Sequence, residues 1–110
     1  MSLSAKQLQR YNCHLTIDSI GKEGQIAFGD AKILIAGLGG LGCPAASYLC
    51  GAGIGSLTLC DSDVVETSNL PRQTLYREDD YGQSKVVIGK RVLNLMNTDT
   101  KITIFNKELD

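Results

Sequence analysis

The strongest constraint on this chain is an apolar run that ends abruptly in glycines. Ile33, Leu34, Ile35 and Ala36 are followed at once by Gly37-Leu38-Gly39-Gly40-Leu41-Gly42. A continuous apolar run bounded by turn residues fits a strand buried on both faces of a parallel sheet. The strand is expected within Ala31 to Gly37. Next comes Cys43-Pro44-Ala45-Ala46-Ser47-Tyr48-Leu49-Cys50, rich in small helix-compatible residues. Proline has no N–H to donate and suits only a first turn, so the helix should begin near Gly40 to Cys43. Gly51 and Gly53 should end it.

Ser56 to Asp61 alternates Leu57 and Leu59 with smaller residues and reads as a second strand. Ser84 is a plausible N-cap for a later helix. Val86, Gly89, Leu93 and Met96 recur every three to four residues and would form its inward stripe. Ile102 and Ile104 alternate with Lys101 and Thr103, which suggests a third strand. Strands alternating with helices imply parallel pairing through crossovers. The expected fold is therefore α/β: a Rossmann-like, nucleotide-binding half with about three parallel strands, where the full doubly wound fold has two such halves. Residues 1–30 are expected to form an N-terminal helical segment, and residues 31–110 the βαβαβ unit.

Composition sets the remaining bounds. The 110 residues suit one compact unit, and 43% apolar with 21% charged residues fits a globular domain rather than disorder. Eleven basic residues face twelve acidic ones, which gives no electrostatic reason to invoke nucleic acid or an anionic membrane. No run approaches the ~18 apolar residues of a membrane span, and the first residues lack a secretory apolar region. A cytoplasmic location is the expectation. Cys13, Cys43, Cys50 and Cys60 lack CxxC spacing, so reduced, mostly buried thiols are expected rather than zinc ligands. His14, the only histidine, has no partner at metal-ligand spacing and is expected to have a surface or capping role.

The chemistry is expected around the glycines. Phosphate can approach a backbone only where no Cβ stands in the way, and a helix N-terminus offers free N–H groups and partial positive charge. Gly37, Gly39, Gly40 and Gly42 fit that task. Asp61, at the end of the second strand, can accept hydrogen bonds from ribose hydroxyls. These features alone leave NAD and ATP unseparated. About twenty residues without a clear element separate Asp61 from Ser84, and loops of that length are usually functional. The loop carries Ser68-Asn69-Leu70-Pro71-Arg72-Gln73 and then Gly82-Gln83-Ser84-Lys85. Arg72 is a fork of donors suited to phosphate oxygens, and Lys85 is a second cation at a helix start. Two cations suit a nucleoside triphosphate under attack better than a dinucleotide, because that transfer is catalysed by positioning and charge stabilisation.

Several ordered motifs together resemble the ThiF/MoeB/HesA family, bacterial relatives of ubiquitin-activating enzymes. They are Arg10-Tyr11-Asn12, Gly21-x-x-Gly24-Gln25, the glycine loop, Asp61-x-Asp63, Ser68-Asn69-Leu70-x-Arg72-Gln73 and Gly82-x-x-Lys85. The resemblance implies an adenylyltransferase that uses ATP and magnesium. It would activate the C-terminal Gly-Gly carboxylate of a ubiquitin-like sulfur carrier of the ThiS or MoaD type, for thiamine or molybdenum-cofactor synthesis. It further implies that Gly40 lies against the phosphates and that Asp61 holds the ribose. Asn69, Arg72, Gln73 and Lys85 would contact the triphosphate, with Arg72 and Lys85 as catalytic charges. A homodimer is implied, with N-terminal helices near the partner's site. Two positions depart from the family. Cys13 stands where an arginine usually reaches across the dimer, and Pro71 replaces a usual glutamine. The family's magnesium aspartate and zinc cysteines would follow Asp110, so neither metal has a ligand set here and the chain reads as an N-terminal part. The alternatives are a catalytically silent nucleotide-binding or dimerisation module, and an NAD-binding domain.

Overall fold

The computed structural model describes residues 2–71 and 73–108, without the side chain of Asn69. Three helices come first: α1 (Ala5–Arg10), α2 (Asn12–Leu15) and α3 (Gly21–Asp30). A β-α-β-α-β unit follows: β1 (Lys32–Ala36), α4 (Gly42–Gly51), β2 (Ser56–Cys60), α5 (Lys85–Met96) and β3 (Lys101–Phe105). The sheet order is β1-β2-β3, parallel throughout, with Ile33 opposite Leu57 and Leu57 opposite Ile102. This is the Rossmann-like α/β arrangement expected from the alternation of patterns. No helix among the described residues is long and apolar enough to cross a membrane.

The core lies on one face of the sheet. Strand side chains alternate between faces, and Ile35, Leu57, Leu59 and Ile102 point to the face where Ala46 and Cys50 of α4 and Val86, Ile88 and Leu93 of α5 are buried. Each fully buried aliphatic side chain of this kind contributes about 1.5–3 kcal/mol. On the opposite face Leu34 is 49% exposed and Phe105 47% exposed. The expectation that β1 is buried on both sides is therefore corrected. An apolar run alone does not reveal that both crossover helices lie on the same side.

Helix α4 begins at Gly42 and places Pro44 in its first turn, where a missing N–H costs nothing. Helix α5 uses Val86, Gly89 and Leu93 as its inward stripe, widened by Ile88. Met96 does not belong to it. At the last turn its side chain is 40% exposed, and its carbonyl accepts from Arg10 Nη1 at 3.4 Å. Ser84 occupies the N-cap position but makes no capping bond, and its buried Oγ has no partner among the described residues.

Buried polar groups fasten the N-terminal helices to this unit. Asn97, 1% exposed, donates through Nδ2 to Tyr11 Oη and to Cys50 O, each at 2.9 Å. Tyr11 in turn donates to Asp99 Oδ2 at 2.9 Å, and burial raises its phenol pKa. Gln25 Nε2 donates to Ala52 O at 2.8 Å, so its Oε1 is the acceptor facing His14 Nδ1 at 2.7 Å. That assignment puts the His14 proton on Nδ1. His14 also lies between Tyr11, stacked, and Phe28, edge-on. It is a half-buried packing residue rather than the surface or capping group expected. The four cysteines are free, and only Cys13 is exposed.

Asn97→Ala removes three bonds: the two that Nδ2 donates, and the one Oδ1 accepts from Asp99 N–H at 3.0 Å. It is expected to cost about 1–3 kcal/mol in urea unfolding. Tyr11→Phe, which leaves the tyrosine ring in place, should cost less; an unchanged midpoint for Asn97→Ala would refute this role for the network.

Candidate nucleotide site

Residue Leu38 organises the site at the carboxyl ends of β1 and β2. It sits inside the glycine loop, yet its side chain is fully buried. Its N–H donates to Asp61 Oδ2 at 2.7 Å. Its carbonyl accepts from the Tyr76 hydroxyl at 2.7 Å and from Cys43 Sγ at 3.3 Å. Burial pushes the pKa of both the Cys43 thiol and the Tyr76 phenol up, so both remain protonated donors at neutral pH. Both backbone polar groups of Leu38 are thus satisfied by the protein, and the loop is held before any ligand arrives.

The glycines around Leu38 have distinct duties. Gly37 has φ +99°, and its N–H donates to Cys60 O at 2.8 Å, extending the strand pairing. A Cβ on Gly42 would lie 1.9 Å from Gly37 O, so the chain can close this turn only with glycine there. Gly39 has open space, with Gln73 Nε2 3.7 Å from where a Cβ would stand, and Gly40 is exposed in the turn. Cys43 N–H donates to Gly39 O at 3.0 Å and starts the α4 ladder. Among the described residues, the amides of Gly39, Gly40, Leu41 and Gly42 have no acceptor. Unpaired amides at a helix start, reached past residues without Cβ, form an anion-binding geometry.

The expected partners converge on this loop. Asp61 is 9% exposed; its Oδ1 also accepts from Asp63 N–H at 2.8 Å. A carboxylate has about four acceptor positions, so both latches leave capacity for a ligand hydroxyl. Gln73 is 3% exposed, with its amide beside Gly39 and its Oε1 without a partner among the described residues. Lys85 opens α5, is 5% exposed, and has its Nζ 6.0 Å from the centre of the Tyr76 ring. No carboxylate pairs with it among the described residues, so its charge remains available to a ligand. Asn69 ends a short 3-10 turn, Thr67–Asn69. Its side chain, and Arg72 altogether, lie outside the described residues.

Two clefts of about 330 Å³ flank Asp63. One is lined by Gly37, Cys60, Asp61 and Glu108, the other by Ser62, Glu66 and Lys85. A further cavity of about 230 Å³ lies beside Tyr11, Gln25 and Asp99. Its polar groups already bond one another or the backbone, and it lies away from the glycine loop. No group of three or more His, Cys, Asp or Glu among the described residues is placed to hold a metal ion.

The long loop proved to be built rather than bare. Val65 and Gly82 bond across it, Val64 bridges to Ser84, and Val65, Leu75 and Tyr76 enter the core. Asp80, also unforeseen, is 3% exposed and accepts from Arg77 N–H at 2.8 Å and Arg91 Nη2 at 2.9 Å. Neither Tyr76 nor Cys43 carried a sequence signal. The one available hint was Leu38, a large apolar residue enclosed by glycines.

Gly42→Ala is expected to destabilise the chain by about 1–3 kcal/mol or more, because backbone must move. Gly39→Ala, with room for its methyl, should stay within about 0.5 kcal/mol. Thermal or urea melts of the pair check this, and equal stabilities would contradict the close approach.

The chain matches the ThiF family over residues 11–110. It is 46% identical over 108 residues to a molybdopterin-synthase adenylyltransferase of Salmonella typhimurium, covering 98% of this chain and 43% of that enzyme. It is 38% identical over 110 residues to a SAMP-activating enzyme E1 of Haloferax volcanii, covering 100% of this chain and 41% of that one. The E. coli tRNA N6-threonylcarbamoyladenosine dehydratase, solved with ATP, superposes with a TM-score of 0.90 at 28% identity, covering 99% of this chain and 44% of the other. The chain thus spans less than half the length of these relatives, over a stretch that contains the glycine loop, Asp61, Gln73 and Lys85. On this evidence the chain belongs to the ThiF family.

Proposed function

We propose that this chain is the nucleotide-binding half of an ATP-dependent adenylyltransferase that activates the C-terminal Gly-Gly carboxylate of a ubiquitin-like sulfur carrier. The observation that carries the reading is the pairing of a pre-held glycine loop, whose Gly39 to Gly42 amides are unpaired, with a buried Lys85 that has no carboxylate at ion-pair distance among the described residues. A buried cation without an anion is costly unless a ligand supplies the charge. The names of the relatives support the adenylyl-transfer chemistry and the carrier as substrate.

In this reading the amides of Gly39 to Gly42 take phosphate oxygens and Asp61 takes ribose hydroxyls. Gln73, Asn69, Arg72 and Lys85 contact the triphosphate. The carrier carboxylate attacks the α-phosphorus, an acyl-phosphate bond forms, and pyrophosphate leaves with the bridging electrons. Arg72 and Lys85 stabilise the charge that builds on the transferring phosphoryl group. Magnesium would lower that charge further, but the described residues offer it no cluster of three or more ligating side chains. The reading includes a homodimer and a cytoplasmic setting, which four free cysteines suit.

Calorimetry with ATP and NAD side by side tests the nucleotide. ATP should bind more tightly. Lys85→Met should weaken ATP about 10- to 100-fold, the size of a charge-assisted contact. Gly39→Ala should also weaken ATP while leaving stability intact. Tighter binding of NAD, or ATP binding indifferent to Lys85, would sink the reading. Carrier-dependent exchange of labelled pyrophosphate into ATP reports the transfer itself.

A further inference from the structure

Tyr76 touches both halves of the candidate phosphate site, although it carries no charge and was not expected to belong there. Its hydroxyl donates to Leu38 O at 2.7 Å, inside the glycine loop. Its ring lies 6.0 Å from Lys85 Nζ, within the range of a cation–π contact. The side chain is 5% exposed and packed in the core cluster with Leu38, Leu75 and Val86. Its own N–H donates to Gln73 O at 3.3 Å, so the turn that presents Gln73 to Gly39 is the same turn that presents Tyr76.

We infer that Tyr76 is a positioning residue for phosphate binding, fixing the glycine loop through its hydroxyl and the Lys85 ammonium through its ring. This rests on the nucleotide reading above. A phenol is suited to both tasks at once. Its oxygen is a directional donor, and its face carries the negative quadrupole that attracts an ammonium. Phenylalanine would keep the ring and lose the loop anchor. Leucine would lose both. The remaining donor to Leu38 O would then be Cys43 at 3.3 Å, a weak thiol bond. The loop would keep its Asp61 latch but lose the directional hold on its carbonyl side, and the amides that follow would sample more orientations.

A merely structural Tyr76 would affect stability without distinguishing ligands, so the test compares ligands. ATP and adenosine are titrated into the wild-type chain, Tyr76→Phe and Tyr76→Leu, with binding followed by amide chemical shifts. Wild type should prefer ATP to adenosine. Tyr76→Phe should lose about tenfold in ATP affinity, as expected for one well-placed hydrogen bond, with adenosine affinity unchanged. Tyr76→Leu should lose more ATP affinity than Tyr76→Phe, because Lys85 is released as well. Wild-type preference for ATP that Tyr76→Phe retains in full would overturn this inference alone, as would equal losses for ATP and adenosine. Equal wild-type affinity for ATP and adenosine would overturn the nucleotide reading and this inference with it. Should Tyr76→Leu fail to fold, the Tyr76→Phe comparison still decides the role of the hydroxyl.

Discussion

The Leu38 residue, gripped on both sides, is the constraint on which the site depends. Asp61 holds its N–H, Tyr76 and Cys43 hold its carbonyl, and its side chain is closed in the core. A glycine-rich loop has many accessible conformations, and ordering it on binding would subtract from ligand affinity. Here that ordering is done by folding. The three donors and acceptors come from different segments: the end of β2, the first turn of α4, and the long loop before α5. The loop can therefore hold its shape only when the β-α-β unit is assembled, which ties anion binding to the integrity of the fold.

The same economy explains why a chain of this length has a buried lysine and a buried glutamine amide at one edge. The core is one-sided, with α4 and α5 together on one face and Leu34 and Phe105 exposed on the other. The long loop supplies Val65, Leu75 and Tyr76 to close the core at the strands' carboxyl ends. At the opposite end of α4 and α5, Asn97, Tyr11 and Gln25 tie the N-terminal helices to the unit by hydrogen bonds, and Phe28 of α3 packs against the core. At that end Asn97, Tyr11 and Gln25 are paired, and Thr100 Oγ1 is the buried polar atom left without a partner among the described residues. At the site end Gln73 Oε1, the Lys85 ammonium and the amides of the glycine loop are left without partners among the described residues. The concentration of unpaired groups at the site end supports the nucleotide reading proposed above.

Much of the fold was legible because it rests on local signals. The apolar run at Ile33–Ala36, the glycines, Pro44 in a first turn and the alternation at Ser56–Asp61 each carry a physical meaning without tertiary context. The misreadings had tertiary causes. Leu34 looked buried because a run of apolar residues does not say whether helices cover one face or two. Met96 kept the helical period but lies where the helix leaves the core. Ser84 took the N-cap position without using its hydroxyl. Gly37, Gly42, Asp61 and Lys85 lie at the carboxyl ends of the strands, where the residue pattern put them, and Gln73 lies beside Gly39, as the family resemblance implied. Asp61 also latches Leu38, which no spacing could show. Tyr76 and Cys43 were invisible because their contribution is a contact across segments, not a pattern.

The claim that folding pre-forms an anion cradle around a held Leu38 is tested most directly by amide resonances of the chain during ATP titration. The account predicts that shifts concentrate at Gly39, Gly40, Leu41 and Gly42. The Leu38 amide should stay protected from exchange throughout, because its proton already belongs to Asp61. Shifts confined to the cavity beside Tyr11 and Gln25, or a Leu38 amide that exchanges freely until ATP is added, would contradict it.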